Sequence, residues 1–175
     1  MKEKIISVIN QKGGVGKTTT VINLAAGLSL NGKKILVIDL DPQGNATTGL
    51  GLSNVADNSK SIYGVLNGKE EIQSSIQKTN FQNLDIVTSN VDLSGLEVET
   101  ADDENRAYLL KNKLTAYLNN SRHSYDYVLI DCPPSLSLLT VMALVASDSL
   151  VVPLQTEFFA LEGITQLIKT IDRIK

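Results

Sequence analysis

The chain has 175 residues, enough for one domain with a sizeable core, and 42% are apolar against 20% charged. A net charge of −3 excludes attraction of the whole chain to nucleic acid or anionic lipid, although not a local basic patch. One cysteine, Cys132, excludes an internal disulfide, and with His123 as the one histidine this chain alone supplies no zinc or iron–sulfur ligand set.

No window approaches the length of a membrane span, and the apolar run in "MKEKIISVINQ" is too short for a signal peptide. A cytoplasmic protein is expected. Lys4–Asn10 predicts a buried strand, short and β-branched. Lys17–Leu30 predicts a helix with Val21, Leu24, Ala25 and Leu28 on one face, stopped by Asn31-Gly32. Lys34–Asp39 ("KILVID") is a second buried strand. A helix between two apolar strands makes a βαβ unit, so these strands run parallel. Pro42–Ser61 reads as a loop, with a short helix following at Ile62–Leu66. Leu84–Thr88 is a third strand and Asp103–Leu118 a helix with Leu110, Leu114 and Tyr117 on one face. Tyr125–Asp131 is a fourth strand, Leu136–Ala146 a helix, Ser149–Pro153 a fifth strand and Leu161–Ile174 an amphipathic helix. Alternation of strand and helix predicts an α/β fold: one domain over residues 1–175 with a doubly wound, mostly parallel sheet.

Ligands of such sheets bind at the carboxyl ends of strands, where the chemically suggestive residues fall. Gln11–Thr20 reads "QKGGVGKTTT" directly after the first strand. Gly13, Gly14, Val15 and Gly16 offer backbone N–H groups for an anion-binding nest, and the following helix adds positive charge at its N-terminus. Lys17 reaches the β- and γ-phosphates, the Thr18 hydroxyl coordinates Mg²⁺, and Thr19 is counted with the nucleotide-binding residues of the loop. A glycine turn before an ordinary helix explains the stretch less well. Lys12 has two readings on pattern alone: a solvated charge, or a phosphate ligand delivered to a second subunit.

"VIDLDPQGN" (37–45) places Asp39 at a strand end and Asp41 two residues on, on the same side if the strand persists. "VLIDCPPS" (128–135) carries Asp131 to the end of the next apolar strand. Carboxylates there are expected as direct or indirect Mg²⁺ partners, Asp131 foremost and Asp39 with a contact that can pass through water; the other reading is that they cap helices or turns. The residue after Asp131 is Cys132, where many phosphate-loop ATPases carry a glutamate, so Asp41 is the residue expected to orient the attacking water. Cys132 reads as a small buried apolar residue and His123 as a surface loop residue. Lys169, Arg173 and Lys175, interrupted by Asp172, read as a solvated helix face.

"KGGVGKTTT", "DLDPQGNATTGLG" and "YDYVLIDCPPSLSLLTVMAL" together resemble the ParA/Soj family of chromosome- and plasmid-partitioning ATPases, within the deviant Walker A group that also contains MinD. The resemblance covers essentially the whole chain, and "VVPLQTEFFALEG" shares it. It implies ATP and Mg²⁺ as cofactors, with Lys12 as the extra lysine that crosses an ATP-sandwich homodimer. Lys17 corresponds to the loop lysine, Thr18 to the Mg²⁺ ligand, Asp41 to the acidic residue of hydrolysis and Asp131 to the Mg²⁺-site aspartate. It further implies nonspecific DNA binding by the ATP dimer on the nucleoid, and stimulation by a ParB-like partner at centromere-like DNA. Family members usually continue past "TIDRIK", so a C-terminally truncated domain is expected, lacking adenine contacts and much of the DNA surface. The competing readings are a MinD-type membrane-associated ATPase, against which "DPQGNATTG" argues, and a non-hydrolysing nucleotide-gated module. A relative of the nitrogenase iron protein needs a pair of cysteines per subunit.

Overall fold

The computed structural model describes residues 4–52, 60–120, 125–156 and 160–174. Its six strands are β1 (Lys4–Val8), β2 (Ile35–Asp39), β3 (Ile76–Lys78), β4 (Leu84–Val87), β5 (Tyr127–Asp131) and β6 (Ser149–Val151), in the order β3-β4-β2-β5-β1-β6. All neighbours pair in parallel except β3 with β4. The mostly parallel doubly wound α/β sheet read from the sequence is therefore the observed one.

Strand periodicity decides how the sheet is covered. In β2, Ile35 and Val37 face a core shared with Val21 and Ala25 of helix α1 (Lys17–Leu30). Leu36 and Ile38 face the opposite core, with Leu110 and Leu114 of α6 (Leu109–Asn120) and Met142, Ala143 and Leu144 of α7 (Leu138–Ala146). β5 repeats the alternation, with Leu129 to the first core and Val128 and Ile130 to the second. A strand buried on both faces needs the continuous apolar run that "KILVID" and "YDYVLID" supply. Each fully buried aliphatic side chain stabilises this arrangement by ~1.5–3 kcal/mol.

The intervening segments differ from expectation in ways with local causes. The loop predicted after Pro42 contains α2 (Asn45–Gly49), entered through Gly44 at φ 63°; α3 (Ile62–Leu66) has the expected bounds, and residues 53–59 lie outside the described residues. α4 (Ile72–Ser75) and β3 have no counterpart in the reading of the sequence. β3 has three residues and lies half-buried at a sheet edge, so it shows no apolar run. A 3₁₀ turn at Val91–Gly95 leads into α5 (Leu96–Glu99). The helix expected from Asp103 begins as a 3₁₀ turn at Arg106–Tyr108 and becomes α6 at Leu109. There the Asp103 carboxylate accepts the Asn105 N–H at 2.8 Å, a side-chain turn that competes with helix. β6 ends at Val151, before Pro153, which lacks a ladder N–H. α8 spans Ala160–Ile174; Lys169, Asp172 and Arg173 are exposed on it, as expected for a solvated face, whereas Lys175 and His123 lie outside the described residues.

Candidate functional site

The sheet order brings three strand ends level. β5 lies between β1 and β2, and its Asp131 is paired in register with Val8 on one side and Asp39 on the other. The loop after β1 and the loop after β2 therefore open on either side of Asp131, as a doubly wound switch point requires.

The phosphate loop has the geometry its glycines allow. Gly14 lies at φ 74° and Gly16 at φ 89°, conformations that side-chain-bearing residues rarely adopt. Gly16 immediately precedes α1, so the loop ends on a helix N-terminus. Gly13 and Gly14 are exposed, Thr18 is half-buried, Thr19 is exposed and Val15 is buried beneath the loop. Lys17 is 7% exposed, and its Nζ donates to the Lys12 carbonyl at 3.0 Å. Burial lowers the Lys17 pKa, and the charges of Asp131 and then Asp41 oppose that shift. Gly13, Gly14, Gly16, Lys17, Thr18, Thr19, Asp41, Asn45 and Pro134 line an open cleft of about 410 Å³, within the range of small-ligand sites. Lys12 is exposed at the loop's other arm and does not line this cleft.

The aspartates divide into different environments. Asp131 is fully buried, and neither carboxylate oxygen has a hydrogen-bond partner. Burial raises its pKa to about 7; the Thr18 hydroxyl lies close enough to oppose this without reaching hydrogen-bond geometry, and Asp39 and Asp41 push it further up. A buried carboxylate with both oxygens unsatisfied, beside a threonine hydroxyl at the foot of a phosphate loop, has the chemistry of a Mg²⁺ ligand. Asp39 is also fully buried, and burial raises its pKa to about 6. Its oxygens are already used: Oδ2 accepts the Thr47 N–H at 2.8 Å and hydroxyl at 2.7 Å, and Oδ1 accepts the Asp41 N–H at 3.2 Å. β2 stops at Asp39, so Asp41 follows a turn rather than a strand that persists. Asp41 is itself buried at 6% exposure, with Oδ1 accepting the Gln43 N–H at 3.0 Å, and it lines the cleft beside Lys17. Cys132 is buried, its thiol pushed well up by that burial, and it plays the structural part expected of it.

Three polar residues here escaped the sequence reading. Thr47 bridges the Asp39 carboxylate to the Ser89 N–H at 3.0 Å, tying α2 to the segment after β4. Asn45 lines the cleft from the first residue of α2. Asn10 accepts the Lys12 N–H at 3.0 Å and donates to the Pro153 carbonyl at 2.8 Å. The signal for Asn10 was present: an asparagine two residues before a loop N–H is a standard side-chain turn.

Comparison with known proteins places this geometry. A family model described as an AAA domain matches residues 3–175. Over 172 residues the chain is 48% identical to the chromosome partitioning protein ParA of Caulobacter vibrioides, covering 98% of this chain and 63% of that one. Over 168 residues it is 48% identical to the sporulation initiation inhibitor protein Soj of Bacillus subtilis, covering 96% of this chain and 64% of that one. The chain belongs to the ParA/Soj family. It thus spans just under two thirds of the length of these ParA and Soj relatives. The ParA/Soj-type fold extends to cobyrinic acid a,c-diamide synthase of Mycobacterium smegmatis, solved with an ATP analogue and magnesium. That structure superposes with a TM-score of 0.89 at 38% identity, covering 98% of this chain and 68% of the other.

Proposed function

We propose that the chain works as an ATP-driven DNA-segregation switch: it binds ATP with Mg²⁺, dimerises around it, and hydrolyses it under the control of a partner. The observation that carries this reading is Asp131, a buried carboxylate without a hydrogen-bond partner, set beside Lys17 and Thr18 at the foot of a glycine nest. Thr18 and Lys17 offset the burial of this carboxylate only in part, and a cation held by nucleotide phosphates would supply the missing partner.

In this reading the N–H groups of Gly13–Thr19 and the N-terminus of α1 receive the polyphosphate. Lys17 exchanges the Lys12 carbonyl for phosphate oxygens. Thr18 and Asp131 would hold Mg²⁺, which would supply neutralisation of phosphate charge during phosphoryl transfer. Asp39, its oxygens committed to Thr47 and Asp41, acts on the metal indirectly and fixes Asp41. Asp41 faces the cleft and orients water toward the terminal phosphate by position and charge, because an ordinary carboxylate is a weak base. Lys12, exposed on the outer arm, reaches the phosphates bound by a second copy, which makes the homodimer part of catalysis. One relative is a chromosome partitioning protein; in this reading DNA is the cargo track and a centromere-bound, ParB-like protein the stimulator. Among the described residues no helix is long and apolar enough to cross a membrane. The test is light scattering with ATP and Mg²⁺ on the Asp41→Ala variant, followed by DNA binding. ATP-dependent doubling of mass and DNA retention are expected; a persistent monomer refutes the cross-subunit role of Lys12, and equal DNA binding with and without ATP refutes the switch.

A further inference from the structure

A second hollow, of about 230 Å³, lies against the other side of the phosphate loop and shares no lining residue with the cleft. Asn10, Gln11, Lys12, Val15, Leu154 and Gln155 are among its walls. From within it, the Gln155 side-chain amide donates to the Gly14 carbonyl at 3.2 Å. The carbonyl and N–H of one trans peptide point in opposite directions, and no described peptide bond is cis. The Val15 N–H, which shares its peptide plane with the Gly14 carbonyl, is therefore directed away from Gln155, toward the cleft side. Rotating this plane turns Gly14 ψ and Val15 φ, and Gly14, at φ 74° and without a Cβ, puts little steric limit on the first of these. A flipped plane would present a carbonyl oxygen to an incoming anion and withdraw a donor from the nest.

The segment that carries Gln155 is itself pinned. Asn10 bridges the Lys12 N–H to the Pro153 carbonyl, and the Ile9 N–H donates to the Val151 carbonyl at 3.0 Å. The strand end and the loop are thus joined at three places: Ile9–Val151, Asn10–Pro153 and Gln155–Gly14. Gln155 is exposed, so the hydrophobic core makes no demand for an amide there.

We infer that Gln155 is a positioning residue for polyphosphate, holding the Gly14–Val15 peptide with its N–H turned to the anion, while Asn10 fixes the backbone from which it reaches. This rests on the reading of the loop as a nucleotide-phosphate site. The experiment is titration calorimetry of the chain with inorganic tripolyphosphate and, separately, with Mg²⁺ and a slowly hydrolysed ATP analogue. Gln155→Ala is expected to weaken both about five- to ten-fold, by equal factors, with the ligand-free melting temperature unchanged. Gln155→Glu keeps the shape but offers the Gly14 carbonyl no proton, and is expected to lose at least as much. Gln155→Arg, which keeps N–H donors, is expected to recover part of the affinity. Wild-type affinity for tripolyphosphate in both Gln155→Ala and Gln155→Glu overturns the inference alone, as does a loss confined to the ATP analogue. A wild-type chain that binds neither ligand overturns the nucleotide reading and this inference together.

Discussion

Asp131→Asn is expected to make the ligand-free protein more stable while abolishing its response to Mg²⁺ and nucleotide. Burial pushes the Asp131 carboxyl from the ordinary aspartate value of 3.8 up to about 7 in the folded chain. At 1.36 kcal/mol per unit, that is about 4 kcal/mol of folding free energy lost at neutral pH to keeping this group ionisable and buried. An asparagine removes the charge but leaves a buried amide without partners, which returns ~1–3 kcal/mol of that gain. Lys17 also loses a counter-charge, so the net gain expected at pH 7.5 is ~1–3 kcal/mol. For a chain of this size that is a rise of roughly 2–12 °C in melting temperature. The sign with pH follows from linkage. An acid with a higher pKa in the folded than in the unfolded state binds more protons when folded. The ligand-free wild type therefore loses stability as pH rises from about 4 to about 7, and the variant loses less over the same window. Calorimetry in EDTA from pH 4 to 8, repeated with Mg²⁺ and an ATP analogue, measures both halves. A variant that melts below the wild type at pH 7.5 in EDTA, or that is stabilised by Mg²⁺-nucleotide as much as the wild type, refutes the reasoning.

Lys17→Ala is expected to abolish ATP binding, whereas Asp41→Ala retains binding, loses turnover and accumulates the dimer; comparing equilibrium binding with phosphate release separates the two roles, and equal loss of binding in both refutes them. Thr47→Val strips one donor from the buried Asp39 carboxylate and orphans the Ser89 N–H, an expected loss of ~2–3 kcal/mol in urea unfolding at pH 7.5. That deficit shrinks toward pH 5, because the Asp39 pKa of about 6 leaves the group largely protonated there and less in need of the donor. Leu36→Ala opens a cavity in the second core at a fully buried site and is expected to cost ~2–5 kcal/mol without altering the affinity for nucleotide per folded molecule.

The sheet was legible because its central strands are buried on both faces and cannot disguise themselves: "ILVI" (35–38) and "YVLI" (127–130) are unbroken apolar runs. The glycine nest was legible for a similar reason, since Gly14 and Gly16 occupy backbone conformations with few alternatives. The polar second layer was not. Thr47 lies eight residues from Asp39 and forty-two from Ser89, so its bridging role depends on tertiary placement that no local pattern encodes. The same holds for Gln155, which meets Gly14 across 141 positions of chain. Short edge elements such as β3 and α4 bury too little to leave a periodic mark.

The antiparallel β3 deserves a different description from the rest of the sheet: it is insulation. A parallel sheet ending at β4 would expose a row of unpaired backbone groups able to recruit another chain. β3 covers that row with three residues running the other way, and Lys78, its side chain 85% exposed and tethered to Asp85 at 2.7 Å, stands on the new margin. A second copy docking there would have to strip water from that ammonium for only three residues of ladder. On this flank the protein's design favours staying dispersed over stacking.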